Sequence, residues 1–389
     1  MKIYEIGTGY TPIPAKIGAA TEIIVEQLTR SFIKNGKSAE IIDIKAGSRE
    51  KTDLPINEVY VPKFFTKTDV SLGVVHKLKR VIYSIFLANK LKKIIKNSNG
   101  KIVLHFHNQY NSYFFLKLVP KKVRKDVLIA YTVHSYIWGT KWEEIENTIK
   151  RKYFQEVYCV KNADVVFVLN DITVDHFTSK LGVKKERIFK ILNGVNTEEY
   201  IPIEPERKNQ LKALYGLETK KIILQVGSVC ERKNQLGSVQ MLSEYLNKNK
   251  DIVYLYAGGI IDEEYQGKIK QFAIDNDISE QVRYLGEVPP GQKLNELFNI
   301  AECSVFTSTL ESFGLVIIES ISAGTPVVLG NNLMFELRNG YYIYSTKEEF
   351  ITHIDDLINK RKSTLCERDD FFQMYSWDSV ARLHSEIFK

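Results

Sequence analysis

The chain has 389 residues, 44% of them hydrophobic and 26% charged, a globular composition that excludes disorder along its whole length and points to two or three folded units at roughly 150 residues each. Its net charge of +7 is unevenly spread. Residues 1–200 hold 33 Lys+Arg against 20 Asp+Glu, residues 201–389 hold 21 against 27, and residues 70–125 contain thirteen basic side chains and no acidic one, so the first half is suited to an anionic neighbour.

Short apolar runs at Lys2–Ile6, Ala39–Ile44, Lys101–Phe106, Val127–Thr132, Val165–Leu169 and Ile188–Leu192 predict strands. Between the first two, Glu22–Asn35 repeats its apolar positions at helical spacing and stops before Gly36, a C-cap signal. A charged, proline-punctuated stretch near 197–218 is expected to join this half to the next. Beyond it the alternation resumes. Strands are expected at Ile222–Val226, Val253–Ala257, Val282–Leu285, Cys303–Phe306 and Val327–Leu329, and helices at Asn234–Leu246, Tyr265–Asn276, Leu294–Asn299 and Gly314–Ala323. Tyr375-Ser376-Trp377-Asp378 precedes a last amphipathic helix, Ser379–Phe388. The βαβ rhythm predicts two doubly wound parallel sheets, with the cleft between them as the default ligand site.

Glu5 interrupts the first apolar run, unlike the h-region of an export signal, and no apolar stretch approaches the ~20 residues of a spanning helix, so a cytoplasmic chain is expected. Cys159, Cys230, Cys303 and Cys366 are too widely spaced for a metal or redox pair and read as reduced thiols. Gly7-Thr8-Gly9 lacks the third glycine of a dinucleotide fingerprint, which disfavours a dehydrogenase. His105 and His107 read as strand residues facing opposite sides, one of them toward an acceptor, and Asp275-Asn276-Asp277 as a helix ending instead of a metal site.

The densest chemical signal is Thr307-Ser308-Thr309-Leu310-Glu311-Ser312-Phe313-Gly314-Leu315-Val316-Ile317-Ile318-Glu319, followed by Ala323-Gly324-Thr325-Pro326-Val327-Val328. A polar loop running into a helix N-terminus presents backbone N–H groups to an anion, Gly314 permits close approach, and Glu319, eight residues after Glu311, is expected about two turns along the same face. A second signal, Gln225-Val226-Gly227-Ser228-Val229-Cys230-Glu231-Arg232-Lys233-Asn234, sets two cations on the turn after a strand.

These segments resemble the retaining GT-B glycosyltransferases of family four, whose signature is two glutamates separated by seven intervening residues in a Glu-x-Phe-Gly-Leu setting. The resemblance covers most of the second half and, through Lys16-Ile17-Gly18-Ala19 and Val133-His134-Ser135, parts of the first. It implies two Rossmann-like domains facing across a cleft that closes on substrate: residues 1–200 on the acceptor side, residues 201–370 for the donor, and a helix in 371–389 crossing back to the first domain. It also implies that Glu311 and the Ser312, Phe313, Gly314 and Leu315 amides hold donor sugar and diphosphate, that Glu319 binds the ribose hydroxyls, that Gly18 lies by the phosphates, and that His134 reaches the donor sugar. Lys233 fits the family's cation. Ser228 stands where relatives carry Arg, so Arg232 is expected to supply that charge.

The activity so implied is retaining transfer from a nucleotide-diphosphate sugar, UDP-sugar first among them, to a hydroxyl acceptor, with no metal required and no nucleic-acid partner. Lys77, Lys79, Arg80, Lys90, Lys92, Lys93 and Lys96 form the expected contact with an anionic inner-membrane face, where a lipid-linked glycan of bacterial surface polysaccharide synthesis would be the acceptor. Two other classes stay open on sequence alone: a nucleotide-sugar epimerase or hydrolase of the same architecture, and a basic nucleic-acid-binding protein.

Overall fold

A computed structural model describes residues 1–15, 19–46, 49–62, 74–331, 340–361 and 368–389. Gly18 and Cys366 lie outside the described residues, as do residues 332–339.

The first unit alternates β1 (Lys2–Ile6), α1 (Ala20–Lys34), β2 (Ser38–Ile44), β3 (Ile56–Val59), α2 (Val74–Asn97), β4 (Ile102–Phe106), α3 (Gln109–Leu118), β5 (Val127–Thr132), α4 (Trp142–Lys152), α5 (Phe154–Asn162), β6 (Val165–Val168), α6 (Asp171–Asp175) and β7 (Ile188–Lys190). Its seven strands lie in the order β3-β2-β1-β4-β5-β6-β7, and every pairing is parallel. A parallel sheet covered by helices buries both faces of its strands, and β4 is buried at all five positions. Leu104, Phe106, Phe115, Ile129 and Tyr131 centre the larger core, to which α2 contributes Tyr83, Leu87 and Leu91 at four-residue spacing. Helix α1 ends in a Schellman motif: Gly36 adopts φ 71°, its N–H donates to Ile33 O, and Lys37 N–H donates to Phe32 O.

The second unit runs through α7 (Pro205–Leu214), β8 (Lys221–Val226), α8 (Gln235–Lys248), β9 (Ile252–Ala257), α9 (Glu263–Asp275), β10 (Val282–Tyr284), α10 (Gln292–Ile300), β11 (Cys303–Phe306), α11 (Leu315–Ser322), β12 (Val327–Gly330), β13 (Tyr341–Tyr344), α12 (Lys347–Ile358) and α13 (Arg368–Tyr375). Its sheet, β10-β9-β8-β11-β12-β13, is again wholly parallel and repeats the order of the first. Cys303, Val305 and Tyr254 lie in its core beside Val239 and Leu242. The chain then returns to the first unit as α14 (Trp377–Ile387), where Lys34 Nζ lies 2.9 Å from Asp378 and Lys101 Nζ donates to the Phe388 carbonyl at 3.1 Å.

The boundary falls between Asn193 and Gly194, so the stretch expected to be a linker at 197–218 is part of the second unit. Pro205 stands at the first turn of α7, where its fixed φ starts a helix and its missing N–H is not needed; that proline marks a helix start. No helix among the described residues is long and apolar enough to cross a membrane.

Candidate active site

In both units the strand order reverses at a central pair, β1/β4 and β8/β11, and ligand groups in such sheets gather at the carboxyl ends of those strands. The second unit places two loops there. After β8, the turn through Ser228 leads into a 3-10 turn at Glu231–Lys233; after β11, the chain runs through Thr307–Gly314 into α11. Gly258, at φ 147°, backs the first loop, since a Cβ there would meet the Gly227 carbonyl oxygen at 2.1 Å.

A buried polar knot ties the two loops together. Gln225 Nε2 donates to the Lys233 carbonyl at 2.8 Å and to Thr307 Oγ1 at 3.2 Å, while its Oε1 accepts from Ser238 at 2.6 Å and from Tyr254 at 2.7 Å. Thr309 N–H adds a 2.9 Å bond to the Arg232 carbonyl. Both ends of the Gln225 amide are thereby answered, which holds the loop backbones in one arrangement.

On this base Glu311 Oε1 lies 2.5 Å from Arg232 Nη1 and 2.6 Å from Lys233 Nζ. Arg232 also donates to the Leu310 carbonyl at 3.0 Å, and Lys233 Nζ sits 5.1 Å above the Phe306 ring. Two cations therefore converge on one carboxylate at the entrance to α11. Gly314 precedes the helix at φ 90°, where a Cβ would come within 2.9 Å of Ile317 Cδ1 and 3.2 Å of Phe306 Cζ, so both the backbone conformation and the space call for glycine. Ser312 and Leu315 are half-buried, and Phe313 is buried with its ring 6.2 Å from that of Tyr375.

Glu311 lies before α11, which begins at Leu315, as the sequence predicts, and Glu319 sits on the second turn of that helix. Glu319 is buried and hydrogen-bonded to Tyr200, whose hydroxyl also accepts from Gly291 N–H at 3.0 Å. Burial pushes the Glu319 carboxyl up to about 7; the Tyr200 hydrogen bond opposes this and the charge of Glu199 adds to it.

In the first unit, His134 follows β5 and its Nε2 lies 3.0 Å from His107 Nδ1. His107 Nε2 is 2.6 Å from Glu5 Oε2, and His105 Nδ1 is 2.9 Å from Glu5 Oε1. His105 and His107 thus share one side, contrary to the expectation that they diverge: residues two apart in an extended chain point the same way. Burial acts to raise the Glu5 carboxyl, but the His105 and His107 rings outweigh it and hold the group at about 2. Burial, with His105 beside it, holds His107 down at about 4, and burial together with His107 holds His134 well below the usual histidine range. A further carboxylate organises the backbone around His134. Glu156 Oε1 accepts from Tyr131 at 2.8 Å and from Ser135 at 3.0 Å, and Oε2 accepts from Trp138 at 2.8 Å.

Glu5, His105 and His107 are close enough to suggest a metal cluster, yet the gaps between their polar atoms, 2.6 and 2.9 Å, are those of direct hydrogen bonds. On the basic helix, Lys77, Lys93 and Lys96 are exposed, and Lys79, Lys90 and Lys92 are half-buried. Arg80 is half-buried too, its guanidinium 4.2 Å from the Tyr10 ring in the loop after β1. Glu5, Glu156, Gln225 and Tyr200 were not read as site residues from sequence. A charge inside a buried strand, as at Glu5, was the one visible signal among them.

Two family models divide the chain: Glycosyltransferase Family 4 matches residues 21–199, and Glycosyl transferases group 1 matches residues 207–368. The solved structure of Anabaena HepE in complex with UDP and glucose superposes with a TM-score of 0.74 at 16% identity, covering 99% of this chain and 98% of that one. The chain is a GT-B glycosyltransferase. This glycosyltransferase is 21% identical to an uncharacterized glycosyltransferase of Methanocaldococcus jannaschii, over all of the chain and 98% of that relative. It is also 22% identical to the O-antigen chain mannosyltransferase RfbU of Salmonella typhimurium, over 78% of the chain and 76% of that relative.

Proposed function

We propose that this glycosyltransferase moves a sugar from a nucleotide-diphosphate donor, UDP-sugar first among them, to a hydroxyl acceptor with retention at the anomeric carbon and without a required metal. The observation that carries the reading is the convergence of Arg232 and Lys233 on Glu311 directly before α11, with Glu319 buried on the second turn of that helix. An arriving diphosphate would draw the two cations to itself, leaving Glu311 to accept from sugar hydroxyls, while Glu319 accepts from the ribose hydroxyls. In the reaction the bond from the anomeric carbon to the phosphate oxygen breaks, the diphosphate leaves with the electron pair, and the acceptor oxygen bonds to the same face of the sugar. The leaving phosphate takes the acceptor's proton. Arg232, Lys233 and the start of α11 stabilise the growing negative charge, the task a metal performs elsewhere. His134, Ser228, Ser312, Phe313, Gly314, Leu315 and Gly18 complete the proposed donor contacts.

The UDP and glucose bound in the Anabaena structure support the choice of nucleotide, and the name of the Salmonella relative supports surface polysaccharide as the product class. Calorimetric titration with UDP, GDP, ADP and their common sugar conjugates in metal-free buffer tests the reading. Micromolar binding of one nucleotide, lost in Glu319→Ala, is expected; binding of none by the native protein overturns it.

For the acceptor, the reading is a lipid-linked glycan at an anionic inner-membrane face. Along α2 the exposed Val75, Leu78 and Phe86 fall on one helical stripe, which Lys93 and Lys96 continue, the pattern of a helix lying in a charged interface. At roughly 1 kcal/mol per basic residue near an anionic leaflet, Lys77, Lys93 and Lys96 suffice for reversible docking. Sedimentation with phosphatidylglycerol vesicles should bring the protein down, and exchanging Lys93 and Lys96 for Glu should release it; equal recovery with phosphatidylcholine alone would refute the docking.

A further inference from the structure

The first unit holds a chain of polar groups that the proposed donor chemistry does not use, buried at Glu5 on β1 and at His107 just after β4 and half-buried at His134 just after β5. It ends on His134, the side chain expected to meet the donor sugar, and the inference rests on that reading. We propose that Glu5 and His107 are positioning residues that fix His134 as the tautomer protonated on Nε2, so that it offers Nδ1 to the sugar as a hydrogen-bond acceptor.

The argument follows the protons. Glu5 is ionised and can only accept. His107 is neutral and carries one ring proton; its Nε2, 2.6 Å from Glu5 Oε2, must hold it. His107 Nδ1 is then bare. At 3.0 Å from His134 Nε2 it can only accept, so the single proton of the neutral His134 sits on Nε2 and its Nδ1 carries a lone pair. Nδ1 makes no hydrogen bond among the described residues. A donor-sugar hydroxyl is the complementary group.

The groups around this chain reinforce the assignment. His105 takes the other Glu5 oxygen through Nδ1, and its Nε2 lies 2.7 Å from Thr132 Oγ1, which anchors the carboxylate from the far side. From α14, His384 approaches the His105 ring to 5.5 Å and turns its Nδ1 to the Val380 carbonyl at 2.8 Å; burial holds it down at about 3, so it brings no competing charge. Glu156 holds the adjoining backbone through Ser135 and leaves the His134 ring to His107. An imidazole has two interchangeable tautomers in water. A fixed carboxylate two bonds away removes the choice before substrate arrives, and an acceptor placed in advance needs no reorganisation.

The test is the long-range proton–nitrogen spectrum of the whole protein labelled with ¹⁵N-histidine, with His134 assigned by His134→Asn. Native His134 is expected to show a protonated Nε2 and a bare Nδ1 at neutral pH. His107→Leu should convert it to a tautomer mixture. His107→Asn, whose side-chain oxygen can accept in place of Nδ1, should restore the native signature. Release of UDP from UDP-glucose should fall about tenfold in His107→Leu, the effect of one misplaced hydrogen bond, and recover in His107→Asn. Hydrogen exchange in the first unit checks that each variant is folded. A native His134 bare at Nε2 or doubly protonated overturns the proposal, and so does a signature unmoved by His107→Leu; if that variant fails to fold, the native spectrum decides alone. If the native spectrum is as expected but the protein never releases UDP, the UDP-sugar reading falls and the relay stands.

Discussion

Glu5 and Glu319 are both buried carboxylates, one in each unit, yet their acidities lie on opposite sides of the ordinary carboxyl value, at about 2 and about 7. Burial pushes both up, so their partners make the difference. Glu5 faces two imidazoles, each within hydrogen-bond distance. Among the described residues Glu319 has one neutral partner, the Tyr200 hydroxyl, with the charge of Glu199 nearby. The contrast separates two uses of a buried acid. Glu5 has its donors already and works by holding other side chains still; Glu319 lacks donors that a ribose would bring, and a ligand that supplies them gains a strong interaction.

The largest expected effect tests the Glu319 half. Glu319→Gln should weaken nucleotide binding on the order of 100-fold, the loss of a charge-assisted pair of hydrogen bonds. It should also stabilise the empty protein. A carboxyl at about 7 in the folded state and about 4.3 unfolded holds more protons when folded, so its contribution is complete below the unfolded value and is lost as pH rises through 7. At pH 8 the variant should gain on the order of 3 kcal/mol over the native protein, and at pH 4 the two should match. Hydrogen exchange in urea, which reports each unit separately, measures both. A variant no more stable at pH 8 would mean that the native carboxylate is already satisfied without ligand.

Glu5→Gln should do the reverse. With a folded value of about 2, Glu5 holds fewer protons folded than unfolded, so its contribution is present above about 4.3 and fades as pH falls toward 2. The variant should lose about 3 kcal/mol at pH 7, with the gap narrowing below pH 4. If the two variants showed the same sign of pH dependence, the distinction between a satisfied and a waiting carboxylate would collapse.

How much of this was legible in the sequence follows from what each element needed. The strand and helix alternation was readable because parallel strands buried on both faces are continuous apolar runs, as in Ile102–Phe106, and because Gly36 punctuates α1. The short edge strand Ile56–Val59 was missed; it has a polar middle and no alternation strong enough to stand out. Glu311 with Glu319, and Arg232 with Lys233, could be singled out because each pair lies close in sequence, the first across the start of α11 and the second on one turn. Glu5, His105, His107 and His134 were not assembled, since their meeting depends on strand register, which pairs Glu5 with His105 across β1 and β4 and which no local pattern encodes. Tyr200 reaches Glu319 over a sequence distance that spacing cannot bridge.

Glu156 supplies the intermediate case and the smallest effect. It is as buried as Glu5 and has three donors, Tyr131, Ser135 and Trp138, but none carries a charge, and burial leaves its carboxyl above the ordinary value. Hydroxyl and indole donors therefore reduce the penalty of burial at Glu156 without reversing it, whereas the two rings against Glu5 do reverse it. A Gln in this place keeps one acceptor oxygen for three donors and turns an NH₂ against at least one of them. Glu156→Gln should therefore cost about 1–2 kcal/mol at pH 5, where charge matters least, and the cost should shrink as pH rises, because the native carboxylate is itself penalised once ionised. Denaturant titration at pH 5 and pH 8 measures the change. A penalty that instead grew with pH would place Glu156 with Glu5, and the contrast between hydroxyl or indole donors and imidazole partners would fail.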